Sequence, residues 1–158
     1  MADWIQQNFP DIYRIGMQEV NSWPDAIYAT LYMTVISFII GGLLGLVMGL
    51  FLVLTGPRGV IENKFVFQIL DKITSIFRAI PFIILLAILK GFTYFIVGTN
   101  LGMTAALVPL SAATFPFFAC QVQVVLADLD RGVIEAAQAS GATLWDTIKV
   151  YLSEGLPE

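Results

Sequence analysis

From Ala26 to Pro57 no side chain carries a charge, and the stretch AIYATLYMTVISFIIGGLLGLVMGLFLVLT exceeds the roughly 20 residues that cross ~30 Å of hydrocarbon at 1.5 Å per residue. The pattern predicts a first membrane span over about 27–54. It stops at TGPRG, Thr55 to Gly59, where glycine and proline end a helix, and a segment holding Arg58, Lys64, Lys72 and Arg78 follows. From Ala79 to Ala127 the only charge is Lys90. That run is too long for one crossing and fits two, folded back at VGTNLG, Val97 to Gly102, which predicts spans over about 76–97 and 102–126. Beyond Ala127 the chain turns to small and charged residues, so 26–127 reads as the transmembrane domain and 128–158 as a separate segment. The fold class expected is all-α: a polytopic membrane helix bundle of three spans with a helix-turn-helix segment outside the bilayer.

Charge sets the orientation. Four cations after the first span argue for the cytoplasmic face, because Lys and Arg accumulate in cytoplasmic loops. The lead-in, residues 1–25, carries Asp3, Asp11, Glu19 and Asp25 against Arg14 and lacks the basic start and short apolar core of a cleaved signal, so it is expected to be retained outside. Trp23, Tyr28 and Tyr32 suit the outer interfacial belt. Three crossings then leave 128–158 in the cytoplasm, and the protein is expected in the cytoplasmic membrane as a multi-pass chain.

Composition removes most catalytic classes. With 58% hydrophobic and 13% charged residues the chain lies outside the soluble range of about a quarter charged. There is no histidine and a single cysteine, Cys120, so no zinc site, thiol–imidazole pair, Ser-His-Asp triad or disulfide framework can be assembled from this chain, and no cofactor is expected in it. Apart from Lys90, and Arg78 at the very start of the second, the second and third expected spans offer no charged side chain for acid–base work, which argues against an intramembrane enzyme. A net charge of −4 without a basic stripe gives no reason to expect nucleic acid as a partner.

Three features carry candidate chemistry. Gly41, Gly45 and Gly49 recur every four residues and lay a smooth strip where another backbone can approach, within this chain or on a second copy. Pro109 and Pro116 fall seven residues apart in the third expected span, with Ser111 and Thr114 between them able to satisfy freed backbone groups; Thr104, Ser111 and Thr114 are candidates for a polar translocation path. Lys90 either faces water inside the protein or extends its stem to the outer surface. In the last segment, Asp128 or Asp130 can cap a helix through RGVIEAAQAS, which Gly141 can end in a left-handed conformation, and Thr143 with Asp146 fits a capping box opening a second helix. Ile134, Ala137, Leu144, Trp145 and Ile148 give these helices apolar faces. Ala136 and Ala137 permit close approach to a partner, and Glu135 supplies a charge for a basic groove.

Glu135-Ala136-Ala137 followed after three residues by Gly141 resembles the EAA loop of the permease subunits of bacterial ABC importers, the binding-protein-dependent transport family. RAIPFIILL at Arg78 to Leu86, VGTNLGMTAALVPL at Val97 to Leu110 and EAAQASGAT at Glu135 to Thr143 resemble the methionine importer permeases, over a stretch from about Thr30 to the end of the chain. The resemblance implies that Glu135, Ala136, Ala137 and Gly141 form a coupling helix that docks on an ATP-binding subunit. It implies two copies of that subunit, a second permease copy and a substrate-binding lipoprotein delivering methionine from outside, all at the bacterial inner membrane. The permease itself performs no bond chemistry; ATP hydrolysis belongs to the partner. The sequence departs from the family pattern at Leu152-Ser153, where a first Leu-Pro is expected, and the spacing from Gly141 to Leu156-Pro157 is one residue short. The family continues into two further spans, so a chain ending at Glu158 reads as a fragment or a truncated product. A permease for another amino acid or small peptide, and a membrane interaction protein without transport activity, are the alternative readings.

Overall fold

Proline and glycine divide the apolar runs into helices. The computed structural model describes residues 6–14, 23–57 and 59–155; part of the lead-in, Arg58 and residues 156–158 lie outside the described residues. Among the described residues the elements are helices, with no strand. α1, Pro10–Tyr13, is a single turn with proline in its first positions, where the missing N–H costs nothing. α2, Trp23–Thr55, runs 33 residues, about 50 Å at the helical rise, more than the hydrocarbon core requires. After Gly56 and Pro57 the chain doubles back: the Ile61 N–H donates to the Leu54 carbonyl and the Asn63 N–H to that of Thr55, both at 3.0 Å.

Asn63 then caps α3, Lys64–Ala79, accepting from the N–H groups of Phe65 and Val66. α3 stops because Pro81 forces Ile80 out of the helical region, to φ −78° and ψ 121°. α4, Phe82–Val97, follows at 112° to α3. The second span expected over about 76–97 therefore differs in the structure. Residues 76–79 close a separate helix, and the proline that was read as part of the span opens α4 instead. By length and composition α2 and α5 (Met103–Ala127) can cross a bilayer, and the bent α3–α4 pair supplies a third crossing if counted as one span. Between α4 and α5 the chain reverses over 98–102, with Gly98 at φ 77° and Gly102 at φ 93°.

α2 and α5 form the seam on which the rest is built. A Cβ added to Gly41 would lie 2.7 Å from Thr114 Cβ, one on Gly49 would lie 2.6 Å from Val122 Cβ, and one on Gly45 would overlap Phe118. These contacts climb both helices in the same direction, so α2 and α5 run parallel and end on the same side. The glycine strip is thus filled from within the chain, by α5, and van der Waals contact between close backbones holds the pair where lipid supplies no hydrophobic drive. Phe38 meets Phe118 edge to face at 5.0 Å across the same seam.

α5 runs uninterrupted through Pro109 and Pro116, which leave the carbonyls of Ala105 and Ala112 without their usual donors. The expectation that Ser111 and Thr114 would serve those carbonyls is not met. The Thr114 hydroxyl donates to Leu110 at 2.8 Å, and Ser111 Oγ is buried without a partner. The Thr114 side chain and the Ser111 carbonyl lie on the face turned to α2, against Gly41.

Two short helices close the described chain: α6, Arg131–Ala139, and α7, Leu144–Gly155. Val53 and Leu54 of α2, Leu126 of α5 and Tyr151 of α7 form a buried cluster, joined by the half-buried Ile134 and Ile148. The parallel pair and the α6–α7 segment therefore share one core.

Candidate coupling segment and membrane path

The α6–α7 segment is built by local hydrogen bonds. Asp130, rather than Asp128, caps α6, its carboxylate accepting from the Gly132 N–H at 2.8 Å. At the other end Gly141 takes φ 80°; its N–H donates to Gln138 at 3.0 Å, and the Ala142 N–H donates to Ala137 at 3.1 Å. That 6→1 and 5→2 pair is the Schellman arrangement, and only glycine enters its left-handed position without strain. Thr143 and Asp146 then satisfy each other. The Thr143 hydroxyl and N–H donate to Asp146 Oδ2 at 2.6 and 3.1 Å, and the Asp146 N–H returns to Thr143 Oγ1 at 3.4 Å. The Thr143 hydroxyl, then its N–H, and to a lesser degree Lys149 hold the Asp146 carboxyl below the usual carboxylate range.

This unit has two faces. Ile134, Ile148 and Tyr151 turn toward the ends of α2 and α5. Val133, Leu144 and Trp145 are exposed, Trp145 by 73%. The five apolar residues expected to act together are thus divided: Ile134 and Ile148 anchor the segment, Ala137 is half-buried, and Leu144 and Trp145 face outward. Glu135, Ala136 and Gly141 are exposed as well.

Between α6 and the turn after α2 lies an open cleft of about 480 Å³, lined by Gly56, Gly59, Phe67, Gln123, Glu135 and Gln138 among others. Glu135 borders it and is exposed. The cleft was not legible in the sequence, because its walls come from five separate stretches of chain, Tyr151 of α7 among them.

The path candidates separate. Thr104 is exposed in the first turn of α5, whereas Ser111 is buried and Thr114 half-buried on the α2 seam. Thr104 and Ser111, seven residues apart, share a helix face; Ser111 and Thr114 meet at Gly41. Lys90 is exposed on α4. Arg78, at the end of α3, directs Nη1 to Cys120 Sγ on α5 at 3.1 Å, beside an edge-to-face contact of Phe77 with Phe115 at 5.4 Å. Sequence reading passed over that link and the anchoring role of Tyr151; the spacing of Thr147, Ile148 and Tyr151 along one face of α7 was the available signal for the latter.

Parallel spans closed on one side by a helix–glycine turn–helix unit define a class, the membrane component of a binding-protein-dependent transport system. Residues 41–152 match the family described as the binding-protein-dependent transport system inner membrane component, and the chain belongs to that family. It is a membrane-embedded protein.

Among its relatives is the probable D-methionine transport system permease protein MetI of Haemophilus influenzae, 45% identical over 133 residues, which are 84% of this chain and 62% of that protein. The D-methionine transport system permease protein MetI of Escherichia coli K12 is 42% identical over 132 residues, 83% of this chain and 61% of that protein. A solved structure of inward facing conformations of the MetNI methionine ABC transporter superposes with a TM-score of 0.80 at 42% identity, over 83% of this chain and 61% of that one. The chain thus spans about three fifths of the length of the relatives it matches. The all-α membrane bundle expected from the sequence is the fold that this likeness establishes.

Proposed function

We propose that this chain is the permease part of an ATP-driven importer for methionine, working with two ATP-binding subunits, a second permease copy and a substrate-binding lipoprotein. The observation that carries the reading is the two-faced α6–α7 unit, anchored through Tyr151 to the ends of two parallel spans and presenting Ala136, Leu144 and Trp145 outward. A helix pair held in that way transmits displacement to the spans, and two arrangements of the spans form the bistable element that alternates access. Glu135 makes the polar contact to the ATP-binding subunit, Ala136 and Ala137 permit close approach, and Gly141 fixes the angle between α6 and α7. The permease breaks and forms no bonds; hydrolysis of ATP falls to the partner.

The N-terminus lies outside and 128–158 in the cytoplasm. Support comes from the parallel course of α2 and α5 and from Lys64, Lys72 and Arg78, which follow in sequence the end of α2 that packs against α7. Thr104, Ser111 and Thr114 remain the polar path residues proposed in α5, with Thr104 the accessible one. Methionine as cargo rests on the names of the relatives, and competition of labelled methionine uptake by other amino acids and small peptides tests it.

The coupling reading is tested by co-purifying the chain with the ATP-binding subunit encoded beside it, in the parent and in Glu135→Lys and Gly141→Pro. Capture by the parent and loss in both variants is expected, since proline cannot take φ 80°. Failure of the parent to capture the subunit, or undiminished capture by Gly141→Pro, overturns it.

A further inference from the structure

α3 carries a polar stripe into the membrane. Near its start Phe67 lines the cleft with Gln123 and Leu126; near its end Phe77 packs on Phe115 and Arg78 reaches Cys120, so the helix rises along α5 toward the middle of that span. At the helical rise Cys120 lies ~10 Å, and Phe115 ~18 Å, short of the end of α5. Lys64, Gln68, Asp71, Ser75 and Arg78 recur at alternating steps of four and three along α3, and at ~100° per residue they share an arc of about 80°. Asp71 is half-buried and the other four are exposed. Phe65, Ile69, Ile73 and Ile76 lie on the far side of the helix, so the polar groups form a face of their own.

A polar face at that depth does not turn to lipid: ionisable side chains within a span face the protein interior or water. Arg78 stands farthest along the rise. Among the described residues it is bonded to the Cys120 sulfur alone, a weak acceptor, and no carboxylate pairs with it. A guanidinium holds its donors in a planar fork that matches a carboxylate through two parallel bonds, and Arg78 is exposed, so the fork is open to a ligand. We propose that the α3 stripe walls the aqueous path of the transported amino acid and that Arg78 receives its α-carboxylate. The assignment rests on the importer reading above. Cys120 positions the fork by holding Nη1, leaving Nη2 and Nε for the two carboxylate oxygens. The path residues of α5, Thr104, Ser111 and Thr114, carry no charge, so discrimination for a free carboxylate falls to α3.

Thiol labelling tests it, at Ser75→Cys one turn below Arg78, in the full chain carrying Cys120→Ser and assembled with its ATP-binding subunit in lipid vesicles. Ile73→Cys, on the apolar face, is the control. A water-soluble trimethylammonium methanethiosulfonate should modify Ser75→Cys and spare Ile73→Cys. Methionine should slow the reaction at Ser75→Cys, and methionine amide, which lacks the carboxylate, should not. Arg78→Gln should raise the methionine concentration needed for protection about tenfold or more, through loss of a charge-assisted hydrogen-bonded pair, and Arg78→Lys, which keeps the charge without the fork, should raise it less. A Ser75→Cys thiol closed to the reagent, or both thiols modified alike, overturns the path. Protection given equally by methionine amide, protection unchanged in Arg78→Gln, or protection by no amino acid overturns the carboxylate role. Protection by another α-amino acid in place of methionine upholds the site and removes only methionine as cargo. A parent chain that does not hold the ATP-binding subunit overturns the importer reading, and this assignment with it.

Discussion

At Gly45 the absence of one methyl group decides how near two spans can come. A Cβ there would meet Phe118 Cβ and lie 2.7 Å from the Phe115 carbonyl, backbone that cannot step aside. Gly45→Leu is therefore expected to push α5 off α2, at a cost of about 1–3 kcal/mol or more from overpacking. Thermal unfolding of the purified chain in detergent reads this, and an unshifted midpoint would show that the seam is looser than its geometry. The glycine spacing was plain in the sequence, but its partner was not. A smooth strip accepts any close helix, and nothing local ties Gly41, Gly45 and Gly49 to Thr114, Phe118 and Val122. The hydroxyls of Ser111 and Thr114 were misjudged for a related reason: sequence places them near the prolines without saying which way they turn.

At the level of elements, legibility followed the range of the signal. The α6–Gly141–α7 unit was readable almost residue by residue, because caps and glycine turns are settled by neighbours within four positions. α3 was passed over as a charged flank, although Asn63, the spacing of Phe65, Ile69, Ile73 and Ile76, and Pro81 mark its start, face and end. The capping box also makes a pH prediction. Asp146 is held below the usual carboxylate range chiefly by the Thr143 hydroxyl, so its contribution to α7 is fully present above the unfolded carboxylate pKa of about 3.9 and is lost as pH falls through the lowered folded value. Hydrogen exchange at the first turn of α7 should stay pH-independent, after correction for intrinsic rates, from neutrality down to about pH 5 and rise in stronger acid. Asp146→Asn should already show the faster exchange at neutrality and no further acid-linked rise.

For the whole molecule, one cluster ties membrane to coupling segment. Tyr151 is 6% exposed among Val53, Leu54 and Leu126. Tyr151→Ala should cost about 3 kcal/mol by opening a cavity there. Because α2 and α5 also hold each other through the glycine seam, the loss should appear first as faster proteolysis between α6 and α7, with the spans still folded. Simultaneous cleavage of the spans would show that the cluster, rather than the seam, holds the bundle. This coupling at distance was beyond sequence reading, since Tyr151 lies about a hundred residues from Val53. The cleft beside α6 shows where that joint has room to give. Its open volume of about 480 Å³ lies between α6 and the turn after α2, and Leu126, Ile134 and Tyr151 of the shared cluster form part of its wall. A push on α6 or on α7 reaches the spans through the same few side chains, so the two helices act as one lever on a single hinge pad with space beside it.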